Sequence, residues 1–306
     1  MTCLWRRDYR VDEILSKSSA TPAADNDADG SSSSADAAEE GSSSPGSGFA
    51  VMEPQPFFYT IKKYYPHALC GYARLSADSA PSDDCSASGS TVAADDEEAT
   101  GGDDALRRLH PIYVERVGDA LANLDALLGA GVTQESLLRH YALNQEFMWN
   151  VVAPHKASRC VSIFDLKGIS VKGMSGKGVA VVRAVMNMCQ THYMERSYRI
   201  YLVNAPYWFA MTWQTLRPLL SVNTQKKVNI LAVGAFDQLF ECIDRGVMPA
   251  CYGGTSERSF GESDQERLLC GLVDAANAPL LRGRRAGQRR RVGRRRGRRR
   301  RRRGGG

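Results

Sequence analysis

No stretch of about 18 consecutive apolar residues occurs in this 306-residue sequence, so no membrane-spanning helix is expected. No apolar segment follows Arg6 and Arg7 near the N-terminus, and a secretory leader is not expected either. The eight cysteines never fall as a CxxC pair or at zinc-ligand spacing, which points to reduced cytosolic thiols rather than a disulfide framework. The histidines (His67, His110, His140, His155 and His192) show no metal-ligand spacing, and neither HExxH nor GxSxG is present. Nothing pairs a nucleophile with its base, so neither an enzyme nor a metal or other cofactor is expected. The run Gly173-Met174-Ser175-Gly176-Lys177-Gly178 falls short of a phosphate loop. Val171 stands where the first glycine should be, and Gly178 replaces the hydroxyl residue that would hold Mg²⁺. It reads instead as a turn before a helix.

What is present looks globular. With 43% hydrophobic and 24% charged residues, the chain is not a collagen, a coiled-coil rod or a wholly disordered polymer. The net charge of +6 is misleading, because fifteen arginines lie within 282–303. Residues 1–281 keep 25 basic against 34 acidic residues, a net of −9. Residues 17–48 and 76–104 are rich in Ser, Ala, Asp and Gly and poor in large apolar residues. They cannot bury enough surface to offset the entropy of ordering, and disorder is expected in both. Residues 261–281 read as a helix or a linker, and 282–306 as an Arg/Gly low-complexity tail, so 261–306 is set outside the domain as linker and tail. The tail suits an anionic surface or nucleic acid through phosphate charge, with no aromatic interleaving to read bases. Folded material is expected at 1–16, at 49–75 and above all at 105–260.

Within 105–260 short Val/Ile/Tyr-rich runs alternate with helical periodicity. Strands are expected at Ile112–Glu115, Val161–Leu166, Ile200–Val203 and Val228–Val233, each nearly continuously apolar, as in a sheet buried on both faces. Helices are expected at Asn123–Leu128, Glu135–Val151, Gly178–Tyr193, Tyr207–Leu220 and Phe236–Ile243. This alternation is the pattern of an α/β fold with a mainly parallel sheet.

Five runs then occur in one order: Ile163-Phe164-Asp165-Leu166-Lys167-Gly168-Ile169-Ser170, Tyr193-Met194-Glu195-Arg196, Ile200-Tyr201-Leu202-Val203-Asn204-Ala205-Pro206, Leu216-Arg217-Pro218-Leu219-Leu220 with Thr224-Gln225-Lys226-Lys227-Val228, and Met248-Pro249-Ala250-Cys251-Tyr252-Gly253-Gly254. Their order and spacing resemble the CRAL-TRIO lipid-binding domain of the yeast phosphatidylinositol/phosphatidylcholine transfer type. Lys62-Lys63-Tyr64-Tyr65-Pro66 and His110-Pro111-Ile112-Tyr113 resemble the family upstream, the latter with Leu109-His110 in place of the usual Gly-Arg. Trp5-Arg6-Arg7-Asp8-Tyr9 with Asp12, Ile14 and Leu15 resembles the end of the family's N-terminal helical subdomain, so 1–16 is expected to be its remnant.

The resemblance implies a CRAL-TRIO fold: a sheet floor, flanking helices, and a helical gate over an apolar pocket holding one phospholipid. It implies exchange of phosphatidylinositol and phosphatidylcholine between membranes by a cytoplasmic monomer, peripheral at Golgi, endosomal or other membranes. Phosphoinositide kinases are implied as partners and nucleic acid is not. Tyr207, Trp208, Phe209, Met211, Thr212, Trp213, Leu216 and Leu220 would form the gate and acyl pocket. Without the resemblance the same run reads as a buried core helix. Glu195 and Lys227, with Arg196 beside them, would hold the phosphatidylinositol headgroup, an acid accepting from hydroxyls and an ammonium meeting phosphate. Ser170 would hold the phosphatidylcholine headgroup at the opposite sheet edge. Tyr113 either joins it or packs in the core. A carrier of another hydrophobe, or an anionic-surface or nucleic-acid binder acting through the tail, are the alternatives. Asp165 and Lys167 read as a local turn ahead of Gly168, and Gly253-Gly254 as a tight backbone turn.

Overall fold

The computed structural model describes residues 15–17, 49–51, 53–74, 109–172, 176–194 and 196–282. Expectations for 1–14, 18–48, 76–104, Glu195 and 283–306 lie outside the described residues. Strand β1 (Leu15–Lys17) pairs antiparallel with β2 (Phe49–Val51). Residues 15 and 16, expected at the end of a helical piece, are therefore in a strand. Next come α1 (Phe58–Tyr64), β3 (His67–Arg74) and β4 (Leu109–Arg116). Two short helices follow, α2 (Val117–Ala122) and α3 (Leu124–Gly129).

The chain continues through α4 (Gln134–Phe147), which ends in a π-turn at Met148–Val152, then β5 (Cys160–Asp165), α5 (Lys177–His192) and β6 (Ser197–Ala205). It then runs through α6 (Phe209–Leu216), α7 (Val222–Lys226) and β7 (Val228–Ala232). Residues 264–282 form a last helix, α8. The four expected strands all form, each within a few residues of its expected ends. The helix expected at Phe236–Ile243 is only a short 3-10 turn at Asp237–Glu241.

Strands β3 to β7 form one sheet in sequence order, β3 antiparallel to β4 and the rest parallel. Every crossover from β4 to β7 steps the same way. Right-handed connections therefore put the crossover helices on one face. Tyr113 and Cys160 meet Leu143 and Phe147 of α4 there, while Ile200 and Leu202 meet Phe209 of α6. The other face, with Ile112, Val114, Val161, Ile163, Tyr201 and Val203, is covered by Leu239, Ile243, Met248 and Tyr252 from the segment after β7. Helices α1, α3, α4 and α5 add an outer layer around Ile61, Leu127, Leu137 and Met188.

The folded unit extends past residue 260. Leu269 and Val273 of α8 are fully buried with Phe58, Leu69 and Phe147, so of the two readings for 261–281 the helix holds, and it is part of the core rather than a linker beyond it. These two buried positions, four residues apart, lie on one helix face. Asn277 and Gln55 exchange backbone and side-chain hydrogen bonds of 2.7 and 3.1 Å, and Tyr59 donates to Asp274 at 2.7 Å.

Gly118 opens α2 so close to the turn after β5 that a Cβ there would lie 1.9 Å from the Lys167 carbonyl oxygen. Backbone cannot yield as a side-chain tip can. Gly118→Ala is expected to cost about 1–3 kcal/mol and to lower the chemical-denaturation midpoint. An unchanged midpoint would mean that the two segments part without cost.

Candidate functional site

Parallel pairing puts the N-terminal ends of β5, β6 and β7 at one edge. Lys227, just ahead of β7, is half-buried there. Its Nζ donates to the Ser197 carbonyl at 2.8 Å, and its own carbonyl accepts from Ile200 N at 2.9 Å. An ammonium is thus held above the first residue of β6, two positions from Glu195, which itself lies outside the described residues.

Arg196 is engaged elsewhere. Its guanidinium donates to the carbonyls of His155, Lys156 and Ser158 at 3.3–3.5 Å and sits 4.7 Å from the Trp149 ring centroid. Burial first, and nearby Arg159 second, pull its pKa down. It closes the loop after α4, and that commitment sets it apart from Lys227.

At the opposite edge the chain leaves β5 through Lys167-Gly168, with Gly168 at φ 81°, and reaches exposed Ser170. The expected local turn forms, Lys167 N donating to Asp165 Oδ1 at 2.9 Å. Asp165 does more. The same oxygen accepts from Asn204 Nδ2 at 2.8 Å, and Oδ2 accepts from the Tyr252 hydroxyl at 3.1 Å. Asn204 has φ 53° and accepts from Gly234 N at 3.2 Å. Tyr252 also receives Arg116 Nε at 3.3 Å, and Gly253 turns the chain away at φ 77°. This knot ties β4, β5, β6 and the segment after β7 together at the C-terminal end of β5. Tyr113 pairs with Ser162, three residues before the end of β4, and is buried with Phe147 and Cys160.

The run from Tyr207 to Leu220 forms α6, then a 3-10 turn at Arg217–Leu219. Phe209 and Leu216 are buried, and Trp208 and Trp213 pack half-buried with Phe164, Ile200, Leu202 and Val228. Thr212 and Leu220 are half-buried, whereas Tyr207 and Met211 are 97% and 77% exposed. The helix is apolar on its sheet side and presents further apolar groups to solvent. Its far end is tied down by Gln190 Nε2 donating to the Leu219 carbonyl and Arg217 Nε donating to Gln225 Oε1 at 2.7 Å. Two clefts, of about 360 and 140 Å³, lie away from α6. One is at the outer edge of β3 beside Val247 and Arg258, the other between α3, α4 and α5. Helix α6 itself rests on the sheet.

The residue reading missed a buried polar cluster beside the first crossover. Glu115, on the helix face of β4, accepts from the Tyr141 hydroxyl at 2.6 Å and from the Tyr65 hydroxyl. His67 and His140 meet Nε2 to Nε2 at 2.8 Å, and Lys62 pairs with buried Glu266. A carboxylate inside the apolar run Ile112-Tyr113-Val114-Glu115 was the one available signal. Among the described residues no group of His, Cys, Asp and Glu is arranged to hold a metal.

Residues 108–254 match the family model for the CRAL/TRIO domain. The SEC14 cytosolic factor of Kluyveromyces lactis is 31% identical over 50% of this chain and 52% of its own, and that of Eremothecium gossypii 29% over 50% of each. The phosphatidylinositol/phosphatidylcholine transfer protein SFH11 of Arabidopsis thaliana is 25% identical over 47% of this chain and 39% of its own. The chain spans about half the length of the curated relatives it matches, or less. The crystal structure of Sfh5 superposes with a TM-score of 0.38 at 18% identity, over 44% of this chain and 46% of that one.

Proposed function

We propose that this chain, whose residues 108–254 match the CRAL/TRIO domain, is a member of that family and takes up single phospholipids, phosphatidylinositol and phosphatidylcholine, and exchanges them between membranes. One observation carries the reading. Helix α6 lies with Phe209, Trp208 and Trp213 against an apolar sheet face and carries Tyr207 and Met211 outward. Lifting α6 off the sheet would uncover side chains worth roughly 1.5–3 kcal/mol each when buried. Acyl chains sliding beneath them replace those contacts, and a bilayer receives the outer residues. The lipid leaves one apolar phase for another, so the net gain is small and uptake is reversible. Lipid exchange needs that reversibility.

Headgroup contacts then set selectivity. The Lys227 ammonium, with Glu195 near it in sequence, takes the phosphatidylinositol headgroup at the N-terminal sheet edge, and Ser170 takes that of phosphatidylcholine at the other. One shared acyl site makes the two lipids mutually exclusive. A peripheral cytoplasmic carrier that hands phosphatidylinositol to lipid kinases is the setting this implies.

Native mass spectrometry of the purified chain tests it. The wild type is expected to carry both lipids. Glu195→Ala/Lys227→Ala is expected to lose phosphatidylinositol at least tenfold while keeping phosphatidylcholine. A different hydrophobe in the wild type would replace this reading with that of another carrier. Parallel loss of both lipids would remove the headgroup assignment.

A further inference from the structure

The five-stranded sheet has two edges, and the chain treats them differently. At the outer edge of β3 the outward backbone groups are taken by side chains. Lys62 Nζ donates to the His67 carbonyl at 3.1 Å, Leu69 N donates to Glu266 Oε2 at 3.1 Å, and Ser263 Oγ donates to the Leu69 carbonyl. A register shift between Leu69 and Tyr72 interrupts the strand as well. Covering and interruption both protect an edge from pairing with another chain. The other edge is β7, last in the sheet order, and among the described residues no strand pairs with its outer side. Ile200 N donates to the Lys227 carbonyl, so the backbone groups of residues 227, 229 and 231 face β6. Those of Val228 and Ile230 alternate with them and face outward. From Val228 to Phe236 there is neither a charged residue nor a proline, and Ile230 is 41% exposed.

We infer that β7 is the interface with a second copy of this chain, the two strands pairing antiparallel across a two-fold axis at Ile230. In that register Ile230 and Ile230 of the second copy exchange both backbone hydrogen bonds, and Val228 stands opposite Ala232. Charge selects the direction. Lys226 and Lys227 precede the strand, whereas the uncharged turn at 233–236 and exposed Asp237, which meets Arg245 at 3.1 Å, follow it. Parallel approach would set lysines against lysines, and like charges facing each other across strands are destabilising. Antiparallel approach keeps the two lysine pairs at opposite ends and lays each beside the other copy's uncharged turn and Asp237. A second β7 also brings no charge to the axis, so nothing ionic is desolvated there. The protected edge of β3 leaves no place for a third copy, and pairing closes at two instead of running into a fibre. The monomer implied by the resemblance is then the dilute state of a reversible pair.

The pairing has a consequence for α6, and only this consequence rests on the carrier reading. Val228 packs with Ile200, Leu202 and Phe209 beneath α6, and Ile230, two residues on, projects to the same face. The two-fold axis of an antiparallel strand pair stands perpendicular to the sheet. Both copies therefore carry α6 on one face of a continuous sheet, with exposed Tyr207 and Met211 of each on that side. One bilayer receives both gates, and the second contact follows the first at high effective concentration.

Sedimentation velocity of the full chain tests this. Two short strands make an interface at the small end of the specific range, so the wild type is expected to pass from monomer towards dimer between about 1 and 100 µM. Ile230→Lys and Ile230→Glu each set like charges across the axis, and each alone is expected to weaken the dimer at least tenfold. Mixed in equal amounts, the two variants are expected to pair again, because opposite charges then face each other. That recovery also shows both variants to be folded. A wild type that stays monomeric throughout overturns the inference. So does undiminished pairing of either variant alone, or a mixture in which the two variants stay apart. Co-purified phospholipid, measured on the same samples, separates the two readings. A lipid-loaded chain that stays monomeric ends this inference alone, and a dimer that loads no phospholipid supports it while ending the carrier reading.

Discussion

Asp165→Ala is expected to lower the unfolding free energy by about 3–5 kcal/mol, a large share of the roughly 5–15 kcal/mol that holds a typical domain. The carboxylate is buried and receives Lys167 N, Asn204 Nδ2 and the Tyr252 hydroxyl. Deleting it leaves three donors facing low-dielectric surroundings with no acceptor, and the penalty is their uncompensated desolvation. The effect also spreads. Asn204 is held at φ 53° by bonds at both ends of its amide, one of them to Asp165. Tyr252 is pinned between Asp165 and Arg116. Asp165→Asn keeps the shape and loses the charge, and about 1–2 kcal/mol is expected. Chemical denaturation at constant slope reads both. A cost under about 1 kcal/mol for the alanine variant would mean that water replaces the carboxylate and that the knot is peripheral to stability.

Glu115→Gln is expected to change how stability depends on pH by about 3 kcal/mol between pH 4.5 and 7.5. Burial is the largest influence on this carboxyl and pushes its pKa up to about 7, with the hydroxyls of Tyr141 and Tyr65 opposing it. A group raised in the folded state stabilises fully below its unfolded pKa, and that contribution is lost as pH rises through about 7. Wild type therefore loses stability across this window on account of Glu115. Its neighbours work the other way. His67 and His140 are held well below the usual histidine range, first by burial and then by Lys62. Their contribution is present above the unfolded histidine value and is lost as pH falls through it. The wild-type profile is the sum of the two, and only the glutamine variant isolates one. The stability of Glu115→Gln minus that of wild type should rise with pH over this interval. A difference that stays flat would mean that Glu115 does not hold its proton in the core.

The parallel sheet was legible because its strands are apolar on both faces and short, a pattern residues 160–166 and 200–203 carry by themselves. Strand β3 was not legible. His67, Gly71, Tyr72 and Arg74 interrupt its apolar run, and pairing with β4 is what makes it a strand. Helix α8 stays open between a helix and a linker in the sequence because the apolar run Leu268–Val273 is short and flanked by charged residues. Only contact with Phe58 and Leu69 reveals Leu269 and Val273 as core. Among site residues, Lys227 and Ser170 were placed at opposite edges by the inference of parallel strands, and parallel pairing puts them there. Arg196 was legible as a cation but not as one engaged by three carbonyls some 40 residues earlier.

Asp165 marks the boundary between the two kinds of information. The sequence by itself determined its bond to Lys167 N, because a short acid two residues before a donor, ahead of a glycine, closes a turn with chain-local geometry. The succession of strands and helices along the chain, the apolar run of α6 and the segregation of charge into an acidic body and a basic end are set in the same way. Only the tertiary structure decided that Asp165 also receives Asn204 and Tyr252, 39 and 87 residues away. It alone decided that α6 has a covered side and an open one, and that Glu115 shares its burial with two tyrosines. The reason is physical. Local dihedral preferences and hydrophobic periodicity act within a few residues, so they are written in neighbouring letters. A buried polar group is satisfied by whichever donor the packed fold brings within 3 Å, and that proximity exists only after the sheet has closed.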